Sequence, residues 1–250
     1  MQFHVPSLLL ISISNLIPPS LANTEKVIIS APPSSVSPSI LPPPLRSLIV
    51  GIPILQHNDE DWSIRHHIPA AFPTTSHPDG IPSWYLLADL NPGQGYEIRI
   101  CWAATQPTEF KLSTHTSQEV LDDASLRGSL VAFSDGCKSS LGLSTHELPE
   151  ESSEADVTDS SKSALLLQIL SAADYVSANA TLMSDVPPVF VDVILDPHVI
   201  PGVPRSLVPT IACVVVVAIG SFFVAPTLSS WLARIAAVKP RGNDHVKKEQ

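Results

Sequence analysis

The chain of 250 residues carries 14 Lys/Arg against 24 Asp/Glu, a formal net charge of −10, with 25 prolines and three cysteines. That acidic balance argues against a nucleic-acid partner, because such binding rests on Lys and Arg neutralising phosphates. The length leaves room for one domain with a modest core once the apolar ends are set aside.

Residues 1–22 read as a signal peptide. An apolar run from Val5 to Ile17 is stopped by Pro18 and Pro19, and Ser20-Leu21-Ala22 offers small residues for cleavage after Ala22. His4 stands where a Lys or Arg is usual in such segments. Next comes an extended lead-in crowded with Pro32, Pro33, Pro38, Pro42, Pro43 and Pro44, with an edge strand expected over Lys26 to Ser30.

The cluster His57, Asn58, Asp59, Glu60, Asp61, His66 and His67 gathers metal-binding side chains without the spacing of a zinc signature, so a polar surface loop is expected and no metal site. Trp84 to Leu90 is an apolar run closed by the turn Asn91-Pro92-Gly93. Tyr96 to Trp102 alternates strictly, placing Tyr96, Ile98, Ile100 and Trp102 on one face and Glu97, Arg99 and Cys101 on the other, as a half-buried strand requires. Glu109 to Leu112 is expected to pair nearby, and a short helical piece is expected over Gln118 to Leu130.

Residues 138–163 are rich in Ser and in acids such as Glu147, Glu150, Glu151 and Asp156, with no aromatic residue. This composition predicts a solvated, mobile insertion, and it lacks the ligand spacing and glycine of an EF-hand. Two further strands are expected at Ala164 to Ile169 and at Val189 to Leu195, the second closed by Asp196-Pro197. The fold class predicted is mainly β, a small antiparallel sandwich-like domain over residues 23–205 followed by one C-terminal transmembrane helix.

That helix is predicted over residues 206–233, 28 positions without Asp, Glu, Lys, Arg or His, where about 20 apolar residues suffice to cross a bilayer. The tail 234–250 has five Lys/Arg and two acids, whereas residues 23–205 hold nine Lys/Arg and 22 acids. The positive-inside bias therefore predicts a lumenal domain and a cytosolic tail. A chain continuing for 17 residues beyond the span also does not match a glycolipid-anchor signal, which ends in its hydrophobic tail. Lys247 and Lys248, fourth and third from the end, resemble the dilysine signal that coat proteins read to return membrane proteins to the endoplasmic reticulum.

Asn179-Ala180-Thr181 is a glycosylation sequon. The oxidising lumen favours a disulfide between Cys101 and Cys137 over two free thiols, although the spacing does not itself bring them together. Cys213 lies within the span and is expected to pack as a small apolar residue. No G-x-S-x-G elbow, phosphate-binding glycine loop or C-x-x-C occurs, so no catalytic residues and no cofactor are predicted.

The opening strand Thr24-Glu25-Lys26-Val27-Ile28-Ile29, the run Tyr96 to Trp102, and Pro204-Arg205-Ser206-Leu207-Val208-Pro209 leading into one span resemble the small fungal accessory subunit of glycosylphosphatidylinositol (GPI) mannosyltransferase II. The resemblance implies a non-catalytic, endoplasmic-reticulum membrane glycoprotein that stabilises or positions a multispanning mannosyltransferase adding the second mannose. The acidic insertion has no place in that pattern. Gly220 and Ser221 would be where partner helices approach closely. Three other readings stay open: a subunit serving the first mannosyltransferase, a cargo receptor or chaperone-like protein cycling between endoplasmic reticulum and Golgi, and a lumenal hydrolase using His66, His67 or the nearby acids. The cargo receptor would be expected to show heptads, and none are sustained.

Overall fold

The computed structural model describes residues 22–33, 43–56, 62–140 and 162–236. The bulk of the signal peptide, His57 to Asp61, residues 141–161 of the acidic insertion, and Lys247 and Lys248 lie outside the described residues.

The described chain is mainly β and divides into two compact units meeting between Pro204 and Arg205. The first holds β1 (Ala22–Ser30), α1 (Pro43–Leu48), β2 (Ile54–Gln56), β3 (Ser63–Ile68), β4 (Ile81–Leu90), β5 (Gly95–Ala103), β6 (Thr108–His115), α2 (Ser117–Asp122), α3 (Ala124–Ser140), β7 (Ser163–Ala173), α4 (Ala180–Ser184), β8 (Val189–Ile200) and β9 (Val203–Pro204). One sheet runs β1-β5-β8-β3, with β9 on the end of β8, and the other runs β2-β4-β7-β6.

Alternation decides what lies between the sheets. Tyr96, Ile98, Ile100 and Trp102 of β5 meet Val189, Val191, Val193 and Leu195 of β8 from one side, and Tyr85, Leu87, Leu165, Leu167 and Ile169 from the other. β4 and β7 are apolar on both faces because each lies between two layers. Their outer residues Trp84, Leu86 and Leu166 form a second core with Leu45, Val120 and Leu130 of the three helices. Trp84 Nε1 donates to Ser129 Oγ at 2.8 Å, so the indole ties β4 to α3 without leaving a buried donor unpaired.

The edge strand near the N-terminus and the alternating strand β5 form as expected, and β1 lies along β5 from Ala22↔Ala103 to Ser30↔Gly95. At Asn91-Pro92-Gly93 the Gln94 N–H donates to the Asn91 carbonyl at 3.0 Å, with Gly93 at φ 76°. Proline second and glycine third is what such a turn demands.

Several expectations need correction. The sheets are not wholly antiparallel, since β2 pairs with β4 in parallel. The chain leaves the second sheet for β3 in the first and then returns, which supplies the crossover a parallel pair needs. Glu109 to Leu112 belongs to β6, which pairs with β7 within the second sheet. Asp196-Pro197 does not close β8, which continues to Ile200. Pro197 stands opposite Tyr96 at the last rung of the β5–β8 ladder, where its missing N–H costs least.

The short helical piece is in fact two helices, the second reaching Ser140. Hence residues 138–140 are helical rather than part of a loose insertion. At its far end Ser163 is fully buried in β7, and Lys162 Nζ donates to Asn91 Oδ1 at 2.6 Å.

The second unit is a short 3₁₀ turn, Arg205–Leu207, followed by α5 (Val208–Ala236). Its most apolar window has a mean hydropathy of 2.6 with none of that window buried, so α5 is long and apolar enough to cross a membrane. Pro209 falls in its first turn, where the missing N–H has no helical partner to lose.

Candidate interaction surfaces

The two sheets differ in what covers their outer faces. α1, α2 and α3 lie over the second sheet. The outer face of the first is a patchwork of charges held in register by the strands.

Register creates a problem at its centre. Glu97 of β5 stands directly opposite Asp196 of β8, and both are nearly buried at 4% and 2% exposure. Like charges opposed across a ladder repel. Arg99 resolves this by approaching both, with Nε 3.4 Å from Glu97 Oε1 and Nη2 3.4 Å from Asp196 Oδ2. Lys26 of the edge strand adds a contact at 3.0 Å to Glu97 Oε2. Ile28 of β1 and Phe190 of β8 stand exposed at the margins of the same face.

Further along, Arg65 of β3 grips Asp192 of β8 with two bonds, Nε to Oδ1 and Nη2 to Oδ2, the latter at 2.9 Å. The hydrogen bond from this guanidinium, joined by its charge, holds the Asp192 carboxyl below its usual range. The sign follows from the depressed folded value. The stabilisation is complete above the unfolded pKa, near 3.9, and disappears as pH falls through the folded one. Carbon-detected NMR titration should therefore find Asp192 titrating below an ordinary aspartate, and Arg65→Gln should move it upward. An unchanged midpoint in the variant would count against the pairing.

The adjacent histidines cannot share an ion. His66 points inward and His67 outward, as neighbours on a strand must. His66 Nε2 lies 2.7 Å from the Tyr85 hydroxyl between the sheets, while His67 stacks on Phe190 with ring centroids 5.0 Å apart. Burial first, and the neighbouring His67 second, lower the His66 pKa, and burial raises that of Tyr85. With Tyr85 fully covered, this pair braces the two sheets. Among the described residues no group of three or more His, Cys, Asp or Glu is placed to hold a metal ion.

Cys101 and Cys137 are free thiols, which corrects the expected disulfide. Cys101 points outward from the first sheet, its Sγ 3.6 Å from Thr24 Oγ1, whereas Cys137 sits on α3 outside the second. Both sheets lie between them, and no disulfide spans that thickness. Burial raises the Cys137 pKa, making it a weak nucleophile. It lines a groove beside α3 with Pro69, Ile81, Gly128, Phe133 and Gly136.

Asn179 is exposed at the start of α4, and its Oδ1 caps the helix by accepting from the Thr181 N–H at 3.0 Å. The cap uses only the oxygen, so the Nδ2 that would carry a glycan is not needed by the fold. In α5, Gly220 has open space around the place a Cβ would occupy, and Ser221 Oγ donates to the Val217 carbonyl at 2.7 Å. The expected contact point is thus an accessible notch with its hydroxyl turned back on the helix.

Sequence reasoning passed over the capping box that starts α2. Thr116 Oγ1 accepts from the Glu119 N–H at 3.2 Å, and Glu119 reaches back to the Thr116 N–H at 2.7 Å. The signal was there as Thr-Ser-Gln-Glu. No such signal could reveal the Glu97–Asp196 opposition, which depends on a register between strands about a hundred residues apart.

No family model, curated protein or solved structure matches the chain.

Proposed function

We propose that this chain is a non-catalytic, single-pass subunit of an endoplasmic-reticulum mannosyltransferase acting in GPI-anchor assembly at the second mannose. Its β-rich unit stands in the lumen and its basic tail in the cytosol, and it holds or positions a multispanning catalytic subunit. The observation that carries the membrane part is α5, 29 residues exposed along their whole length and apolar enough to span. An apolar helix left uncovered by the described residues is suited to lipid and to other helices. The accessory role rests on the resemblance of Thr24–Ile29, Tyr96–Trp102 and Pro204–Pro209. Retrieval through Lys247 and Lys248 and a glycan on Asn179 belong to the same reading.

The test is purification of a lumenally tagged full-length chain in mild detergent, with the C-terminal lysines left free and the partners identified by mass spectrometry. Near-stoichiometric recovery of a GPI mannosyltransferase supports the proposal and reveals which step is served. Recovery of coat and cargo proteins without a transferase would sink it in favour of a cycling cargo receptor.

Orientation has its own check. Asn179→Asp keeps an oxygen cap but removes the acceptor nitrogen. It should increase gel mobility by one glycan, abolish sensitivity to endoglycosidase and leave stability nearly unchanged. Identical mobility of variant and parent would mean that Asn179 is not glycosylated.

A further inference from the structure

The strongest unanswered demand in the molecule is on the backbone of α5. Pro226 lies inside this helix. Proline has no N–H, so the Phe222 carbonyl, four residues earlier, lacks its helical donor. On the reading that α5 spans the bilayer, the midpoint between the flanking Arg205 and Arg234 falls between Ile219 and Gly220. At about 1.5 Å per residue the Phe222 carbonyl is then roughly 5 Å from the midplane, deep inside a hydrocarbon core about 30 Å thick. No water reaches that depth, and an unpaired backbone group there costs several kcal/mol.

Transmembrane helices commonly answer such a gap with their own hydroxyls. Those near the gap bond to other carbonyls: Ser221 to Val217, Thr227 to Val224, Ser229 to Pro226 and Ser230 to Thr227, at 2.7 to 3.1 Å. A second parallel copy would bring the same committed hydroxyls at the same depth. We infer that the Phe222 carbonyl is a docking point for a transmembrane helix of a different, multispanning protein, whose side-chain donor (a hydroxyl, amide or similar N–H group) meets it near mid-bilayer.

The face concerned is not the notch at Gly220. Ile219, Phe222 and Pro226 recur at three and four residues and share one side of α5. At about 100° per residue Gly220 is turned roughly 120° from Pro226. α5 thus offers a notch on one side and an acceptor on another, as a helix wedged between two partner helices would.

The inference rests on the membrane-spanning reading, and the experiment separates it from the proposed enzyme partner. A photo-crosslinking phenylalanine analogue replaces Ile219 in the full-length chain in native membranes, and the crosslinked peptide is identified by mass spectrometry. A second chain carries it at Val217, on the Gly220 side. The expected adduct from position 219 is a transmembrane segment with a donor side chain at the depth of the crosslink. Pro226→Ala, which restores the helical N–H, should reduce that adduct about fivefold, leaving expression and the position-217 adduct unchanged. Ala225→Pro combined with Pro226→Ala keeps a proline bend but moves the freed carbonyl by about 100°, and the yield should stay low.

Full yield in Pro226→Ala, recovery with the shifted proline, or adducts only with lipid or a second copy would each overturn the inference. If the donor-bearing partner is not a mannosyltransferase, the proposed function fails while this docking point stands. If it is one, yet Pro226→Ala changes nothing, only the docking point fails.

Discussion

Gly80→Ala is expected to abolish the folded state of the β-rich unit. Gly80 lies at φ +84°, and a Cβ there would sit 1.9 Å from the Ser171 carbonyl oxygen and 2.3 Å from its carbon. The obstacle is backbone, and that backbone cannot yield. The Ser171 carbonyl accepts from the Ala71 N–H, the Ala173 N–H bonds back to the Ala71 carbonyl, and Ser171 Oγ donates to the Pro69 carbonyl at 2.6 Å. A forced left-handed conformation costs about 1 kcal/mol, and a rigid clash brings the total to more than about 4 kcal/mol. Gly93 provides the control. It has nearly the same φ, +76°, but nothing within 4 Å of its virtual Cβ, so Gly93→Ala should cost only about 1 kcal/mol. Limited proteolysis of the detergent-solubilised chain would compare them, and equal resistance in both variants would refute the account.

Arg99→Ala is the second large effect, with an expected loss of about 3 kcal/mol. Removing this guanidinium takes the shared cation from between Glu97, which keeps Lys26, and Asp196, both with little access to water, and breaking a buried ion pair is costly. The cause can be isolated, because Glu97→Gln removes one of the two charges and with it their mutual repulsion, leaving Asp196 buried without Arg99. The double variant Arg99→Ala/Glu97→Gln should recover about half of the lost thermal stability. Without recovery, packing of the Arg99 stem rather than charge would explain the loss.

These positions illustrate what a sequence can and cannot disclose here. β5 was legible because its period of two is local and strict, and the buried set Tyr96, Ile98, Ile100 and Trp102 is the one that alternation selects. α5 was legible from charge-free length alone. α3 was legible only as far as Leu130, because beyond it small and polar residues dominate and Phe133 alone marks the inner face. Nothing local distinguishes such a helix from a polar loop. Pro197 misled because proline usually ends a strand, and only the register shows it at the last rung. The disulfide failed for a similar reason, since compartment chemistry favours a bond that topology forbids. On the interaction surfaces, Gly220 was readable as a small residue in an apolar run, whereas the charge pattern around Arg99 exists only once β8 lies beside β5.

The order of strands also sets a timetable for synthesis. β8 occupies the middle of the first sheet and β7 the middle of the second, yet both are translated after all the strands they join except β9. Until Ile200 has left the ribosome, β3 has no neighbour in its sheet and β1–β5 is an isolated two-stranded ribbon, marginal in water. The nascent chain holds six strands until β7 emerges and three of them, β1, β3 and β5, until β8 does, their edges and apolar faces open to wrong partners. Folding is thereby gated by the last segment before α5, and chains cut short of β8 should be handled by the cell as unfinished.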